Sequence, residues 1–211
     1  MRKSTILFLL TSVLIGSLLF SCGSNPIAKL PTVPIEMGSY EANYFSNPAM
    51  DYVYKTNITI YGNELSGIFI VKKIDDFTHR VVFTTEFGNK LLDFEISETD
   101  FKVNAIVEEL DRKILINILV TDFRLLLRNN YVIQHQYSES GNKILESKDG
   151  NRYNYLYVSS IDQKLMQIVQ SSKRKEKIKI TYSSENNIFA QNIVIQHYDI
   201  KLKIAFDYFK N

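Results

Sequence analysis

From Tyr52 onward apolar and polar residues alternate, the pattern of strands with one buried face. Tyr54, Thr56, Ile58 and Ile60 fall on one side, with Lys55, Asn57 and Thr59 on the other. After the turn Gly62-Asn63 comes an apolar run, Ser66–Ile74. Arg80–Thr85 places Val81 and Phe83 together, Leu92, Phe94 and Ile96 alternate with Asp93 and Glu95, and Phe101–Ile106 suits a fifth strand. Asp75-Asp76, Gly88-Asn89 and Glu98–Asp100 supply turn chemistry between these runs, so the pattern predicts an antiparallel meander.

One stretch breaks the period. In Asp111–Arg128, Leu115, Ile118, Leu119, Phe123, Leu126 and Leu127 recur at three- and four-residue spacing. Lys113, Asn117, Asp122 and Arg124 lie elsewhere on the wheel. Asp111 suits an N-cap and Asn129-Asn130 a stop, which predicts one amphipathic helix packed on the sheet. Strands then resume at Tyr131–Tyr137, Lys143–Ser147, Tyr153–Val158, Lys164–Gln170, Lys177–Ser183, Asn192–Tyr198 and Ile200–Phe209. About ten or eleven strands in one sheet must curl. The expected fold is therefore mainly β: a strongly curved antiparallel sheet, an open half-barrel, with the helix on its concave face.

The amino-terminal segment has a different character. Arg2 and Lys3 precede an uncharged apolar run, Ile6–Phe20, which is short of the roughly 20 residues a membrane-spanning helix needs. Leu19-Phe20-Ser21-Cys22 then resembles a bacterial lipobox, with the chain's single Cys at the acylation position. An ordinary secretory signal with an incidental Cys is the competing reading. Acylation would hold the protein durably on a membrane, at about 0.8 kcal/mol per buried CH₂. Gly23 follows the Cys and no Asp stands there, which favours the outer membrane, facing the periplasm. Three of the four prolines lie in Gly23–Gly38, the composition of a tether. The expected organisation is a signal peptide at 1–21, a lipid anchor and tether at 22–50, and the half-barrel at 51–211.

Composition mostly excludes. The formal charge of +2 comes from Arg2 and Lys3, leaving a neutral mature chain, so a polybasic nucleic-acid binder is not expected. One Cys excludes a disulfide scaffold and a thiolate-rich metal site, and His79, His135 and His197 are scattered. Neither metal nor cofactor is expected. The chain has no G-x-S-x-G, H-E-x-x-H, P-loop or dinucleotide fingerprint, so no catalytic residue is assigned and a non-enzyme is expected. The run Lys173-Arg174-Lys175-Glu176-Lys177 reads either as a hairpin turn or as a contact for anionic headgroups. Thirteen Tyr and thirteen Phe, many at alternate strand positions, suit either a filled core or the wall of a cavity.

The order of lipobox, tether, strands, helix and strands resembles the LolA/LolB-type half-barrel proteins of the bacterial envelope, with the closer likeness to their outer-membrane receptor branch. Glu64-Leu65-Ser66-Gly67-Ile68-Phe69-Ile70 is similar to that family's early Gly-plus-apolar strand. Thr84-Thr85-Glu86-Phe87-Gly88 is similar to its protruding loop, although Glu-Phe-Gly replaces the usual Pro-Leu-Gly. The resemblance implies a cavity for acyl chains, for which Phe83, Phe94, Tyr153, Tyr155 and Phe206 are candidate lining residues. It implies Phe87 as a membrane-touching tip, against the alternative that this ring folds back onto the core. Implied partners are membrane lipid through acylated Cys22, lipoprotein or lipid cargo, and a periplasmic carrier protein. The alternative function is a structural or accessory subunit of an envelope complex with a filled core.

Overall fold

A computed structural model of the chain describes residues 27, 29–173, 175–186 and 188–209. The alternating segments form strands: β1 (Thr32–Val33), β2 (Ser39–Glu41), β3 (Asp51–Ile60), β4 (Asn63–Lys73), β5 (His79–Thr84), β6 (Lys90–Ile96) and β7 (Phe101–Ile106). After the helix α1 (Lys113–Leu127) come β8 (Asn130–Val132), β9 (His135–Glu139), β10 (Asn142–Asp149), β11 (Arg152–Ser159) and β12 (Leu165–Ser172). The chain ends with β13 (Lys175–Ser183), β14 (Asn192–His197) and β15 (Leu202–Tyr208). The expected architecture is present: one large curved antiparallel sheet, open rather than closed, with one helix among the described residues on its inner face.

Thirteen strands share that sheet, more than the sequence pattern indicated, in the order β1-β9-β10-β11-β12-β13-β14-β15-β3-β4-β5-β6-β7. It is a meander with two long-range joints: β1 lies beside β9 at one edge, and in the middle β15 lies beside β3 with Leu202 opposite Ile60 and Tyr208 opposite Tyr54. The strand expected over Tyr131–Tyr137 is two strands. β8 pairs with β2 in a separate two-stranded ribbon. The chain then crosses to the main sheet at Ile133 and Gln134, whose N–H groups donate to Gly38 and Glu146 carbonyls at 3.0 and 2.8 Å.

Part of the stretch read as tether is built into the fold. β1 pairs with β9 at the sheet edge, and Ala42, Tyr44 and Phe45 are buried in the core. The Tyr44 hydroxyl donates to the Leu165 carbonyl at 3.1 Å, which ties this segment to β12. Its low hydrophobic periodicity hid this role, because its few apolar side chains dock singly.

Inward-facing residues alternate as expected: Tyr52 and Tyr54, Phe69 and Val71, Val81 and Phe83, Leu92 and Phe94, Ile193 and Ile195, Ile204 and Phe206 are all buried. Helix α1 lays Leu119, Phe123, Leu126 and Leu127 onto them, and the Phe123 ring sits 5.0 Å from that of Phe69. Full burial of each such side chain stabilises by about 1.5–3 kcal/mol before chain entropy is counted. Gly67 permits a close approach between β4 and β5. A Cβ there would collide with the Thr84 carbonyl oxygen and lie 2.9 Å from the Phe83 ring.

The helix ends differ from expectation. Asp111 is not the N-cap: Arg112 holds that position, and no side chain caps the first turn. At the other end Arg128 is extended, so the chain passes directly into β8 without the left-handed stop that Asn129-Asn130 suggested.

Candidate lipid-binding site

The candidate lining residues divide between two faces. Phe83, Phe94 and Phe206 point inward and are packed into the continuous core, where Phe206 lies 4.9 Å from the Phe69 ring. Tyr153 and Tyr155 point the other way. On β11 they alternate with Asn154 and Leu156, and they join Ile144 and Val169 in a separate cluster on the outer face. No single cavity brings the five together. The three phenylalanines are dry core beneath the middle of α1.

The open space lies under the first half of α1. A hollow of about 480 Å³ separates that half from β12–β14 and the β14–β15 turn, with apolar walls from Ile114, Ile118, Ile178 and Ile200. Its polar wall carries Asp122, His197, Gln170, Arg152, Lys177 and Asp199. A second hollow of about 500 Å³ lies toward the helix C-terminus and is walled in part by Phe77, Arg124 and Arg128. Thr121, Arg152 and Gln170 border both. The volumes fall within the roughly 300–1,000 Å³ of small-molecule sites.

The polar wall centres on a buried pair. Asp122 is fully buried on the sheet side of α1, a correction to its expected place away from the apolar stripe. His197 Nε2 lies 3.0 and 2.9 Å from its two carboxylate oxygens. Burial pushes the Asp122 carboxyl up from its ordinary range, against the opposing pull of the His197 hydrogen bond. Lys177 Nζ pairs with Asp199 at 2.9 Å on the rim. Deeper in, Gln170 donates from Nε2 to Asn154 Oδ1 at 3.0 Å and accepts from Arg152 at 3.4 Å. The other side of the buried amide Asn154, its Nδ2, has no partner within the protein, nor does the buried Ser147 hydroxyl. The hollow itself is bordered by the polar side chains of Arg152, Gln170, Lys177 and Asp199 on one side, while the isoleucines offer a hydrocarbon surface on the other.

The remaining histidines are also accounted for. His79 is buried with Nε2 3.0 Å from the Phe45 carbonyl oxygen, and His135 sits 3.1 Å from Glu146. Among the described residues no group of three or more His, Cys, Asp or Glu could hold a metal ion. No helix among them is long and apolar enough to cross a membrane.

Phe87 stands at the tip of the β5–β6 turn and is 93 % exposed, so the ring does not fold back. The turn is closed by Thr85 N–H donating to the Asn89 carbonyl at 2.8 Å, with Gly88 at φ +85°. Strand register puts this turn at the same end of the sheet as the β3–β4 turn and the β14–β15 turn that borders the first hollow. Tyr61, Tyr198 and Ile114 are exposed at that end as well. Lys173 lies in the β12–β13 turn, the hairpin reading of the basic run. Cys22 lies outside the described residues.

Sequence reasoning missed the polar wall. Its signal was present in α1, where Asp122 follows Ile118 by four residues and precedes Leu126 by four. That spacing places the carboxylate on the apolar stripe.

No protein-family model matches the sequence, and no curated protein matches it. Solved structures do. A LolA superfamily protein from Nitrosomonas europaea superposes with a TM-score of 0.51 at 11 % identity, covering 80 % of this chain and 88 % of that one. A domain assigned to outer membrane lipoprotein sorting, from Vibrio parahaemolyticus, gives 0.47 at 5 % identity over 76 % and 83 % of the two chains. A DUF1329 family protein from Desulfovibrio piger gives 0.43 at 9 % identity over 76 % and 84 %. At these identities the likeness concerns fold, and the first of the three carries it: this chain has the open half-barrel fold seen in the LolA superfamily.

Proposed function

We propose that this chain is an envelope lipoprotein, anchored to the outer membrane through acylated Cys22, that holds acyl chains or a related lipid and assists their delivery to the membrane. The observation that carries the reading is the hollow beneath the first half of α1. Isoleucines face a polar wall, buried at Asp122, His197 and Gln170, across a volume suited to part of an amphiphile. Its mouth and Phe87 share one end of the sheet, so cargo leaving the hollow would emerge beside an exposed apolar tip. No covalent step is needed, because transfer requires only that the bilayer bury the chains better than the hollow does. The lipoprotein-sorting and LolA-superfamily names of the structural neighbours agree with this reading. Lipoprotein cargo and a periplasmic carrier protein are the partners it proposes.

The test uses a Cys22→Ser variant, which cannot be acylated, purified without detergent. Mass spectrometry of organic extracts should find lipid in proportion to protein. Finding none would leave the second reading, an accessory lipoprotein with a filled core. That alternative draws on the complete packing around Phe83, Phe94 and Phe206.

A further inference from the structure

The outer face of β9–β12 carries an apolar cluster of its own, on the side of the sheet away from α1. Ile144, Tyr155 and Val169 are buried there, with Tyr137, Tyr153 and Tyr157 packed around them. The rings of Tyr153 and Tyr155 lie parallel, 6.5 Å apart, and the Lys148 ammonium sits 5.7 Å from the Tyr153 ring centroid. Ile27 and Leu30 cover part of the cluster. They are placed by β1, which pairs with β9 at Thr32 and Val33, and by a turn in which Leu30 N–H donates to the Ile27 carbonyl at 3.1 Å. The segment is thus a strap, laddered at one end and seated by apolar side chains at the other.

Ile27 is five residues after Cys22. Even fully extended, five residues reach only about 17 Å. We infer that the strap holds the outer face of β9–β12 against the lipid-headgroup layer of the bilayer that anchors Cys22. This inference rests on the lipid-anchor reading above and adds an orientation to it. The face has suitable chemistry. Tyrosines combine an apolar ring with a polar tip, the combination enriched where membrane meets water. Burial, with Glu139 and Glu176 nearby, pushes the Tyr157 hydroxyl up to about 12, so it stays neutral at that surface. Lys148 beside Tyr153, Lys179 opposite Val169 and the exposed Lys29 on the strap supply cations for phosphate groups.

The natural chain contains no Trp, so a single Trp is an unambiguous reporter. The full acylated chain carrying Tyr153→Trp is reconstituted into phosphatidylethanolamine–phosphatidylglycerol vesicles containing a headgroup-labelled quenching lipid. Quenching of roughly twofold is expected, as for an aromatic ring at the interface. A second sample adds Ile27→Asp and Leu30→Asp. A third inserts ten Gly-Ser residues after Gly23, which adds about 16–19 Å of root-mean-square reach without touching the sheet. Both should stay on the vesicles and lose the quenching. Failure of the parent chain to bind vesicles through Cys22 would overturn the anchor reading and this inference together. Binding with quenching of a Phe87→Trp reporter but not of Tyr153→Trp would overturn the orientation alone, as would unchanged quenching in the spacer variant.

Discussion

His197 on β14 and Asp122 on α1 meet inside the half-barrel, with one imidazole nitrogen 2.9–3.0 Å from both carboxylate oxygens. The pair pins the helix to the strands on one side of the hollow, while the phenylalanine core pins it on the other. Breaking a buried ionic or hydrogen-bonded pair by removing one partner strands the other, at a cost of about 3–5 kcal/mol. His197→Leu should therefore lower urea-unfolding stability by that order. The double variant with Asp122→Leu should recover much of the loss, and additive losses would show that the two residues act independently.

Enlarging a residue of the hollow tests where lipid sits. Ile118→Trp should reduce bound lipid roughly tenfold, equivalent to about 1.4 kcal/mol. Phe83→Leu should leave lipid content unchanged, because that ring is enclosed in the core. Quantitative mass spectrometry of extracts from the two variants decides between the hollow and the phenylalanine face.

The difference between those two residues also shows what was legible in the sequence. Phe83, Phe94 and Phe206 announce an inward strand face through their alternation, and all three are inward. Alternation reports which side of a sheet a residue faces, but cannot report whether a helix fills the space above it. Tyr153 and Tyr155 alternate just as cleanly on the outer face. There the stripe belongs to the strap, whose apolar residues Ile27 and Leu30 are too few to make a pattern. Asp122 was legible in principle, since a carboxylate on an apolar stripe requires a partner. That partner is 75 residues away in the chain, a distance no local pattern spans.

The Phe87 tip gives a third test. Phe87→Glu replaces a ring already in solvent, so the unfolding free energy should change by no more than about 0.5 kcal/mol, the range of ordinary surface changes. Transfer of a fluorescent lipid to acceptor vesicles should fall sharply. Unchanged transfer would remove Phe87 from the mechanism.

Gly67→Ala should destabilise the sheet by about 1–3 kcal/mol, because the added methyl meets the backbone of Thr84 and the Phe83 ring. Thermal melting checks this, and a midpoint equal to the parent's would show that β4 and β5 can separate freely.

Acid stability should depend on Asp93, which is buried and bonded by Arg80 at 2.9 and 2.7 Å and by Lys90 at 2.7 Å. The Arg80 hydrogen bond comes first among the causes that hold its carboxyl well below the ordinary value of 3.8. A group depressed on folding stabilises above its unfolded value and loses that contribution as pH falls toward its folded one. The parent should lose stability steadily below about pH 4, and Asp93→Asn should flatten that limb in urea titrations.

The joint between β15 and β3 governs when this molecule can exist at all. One block of strands, β3–β7, and the other, β9–β14, touch in the main sheet only through the last strand, whose first residue pairs with one 142 positions earlier. Ribosomes and secretion channels deliver chains from the amino end, so the sheet cannot be completed until Leu202–Tyr208 has emerged. Pairing at such separation is slow. A chain truncated before Leu202 would lack the strand that joins the two blocks within the sheet, leaving α1 and the segment around Tyr44 as their remaining links.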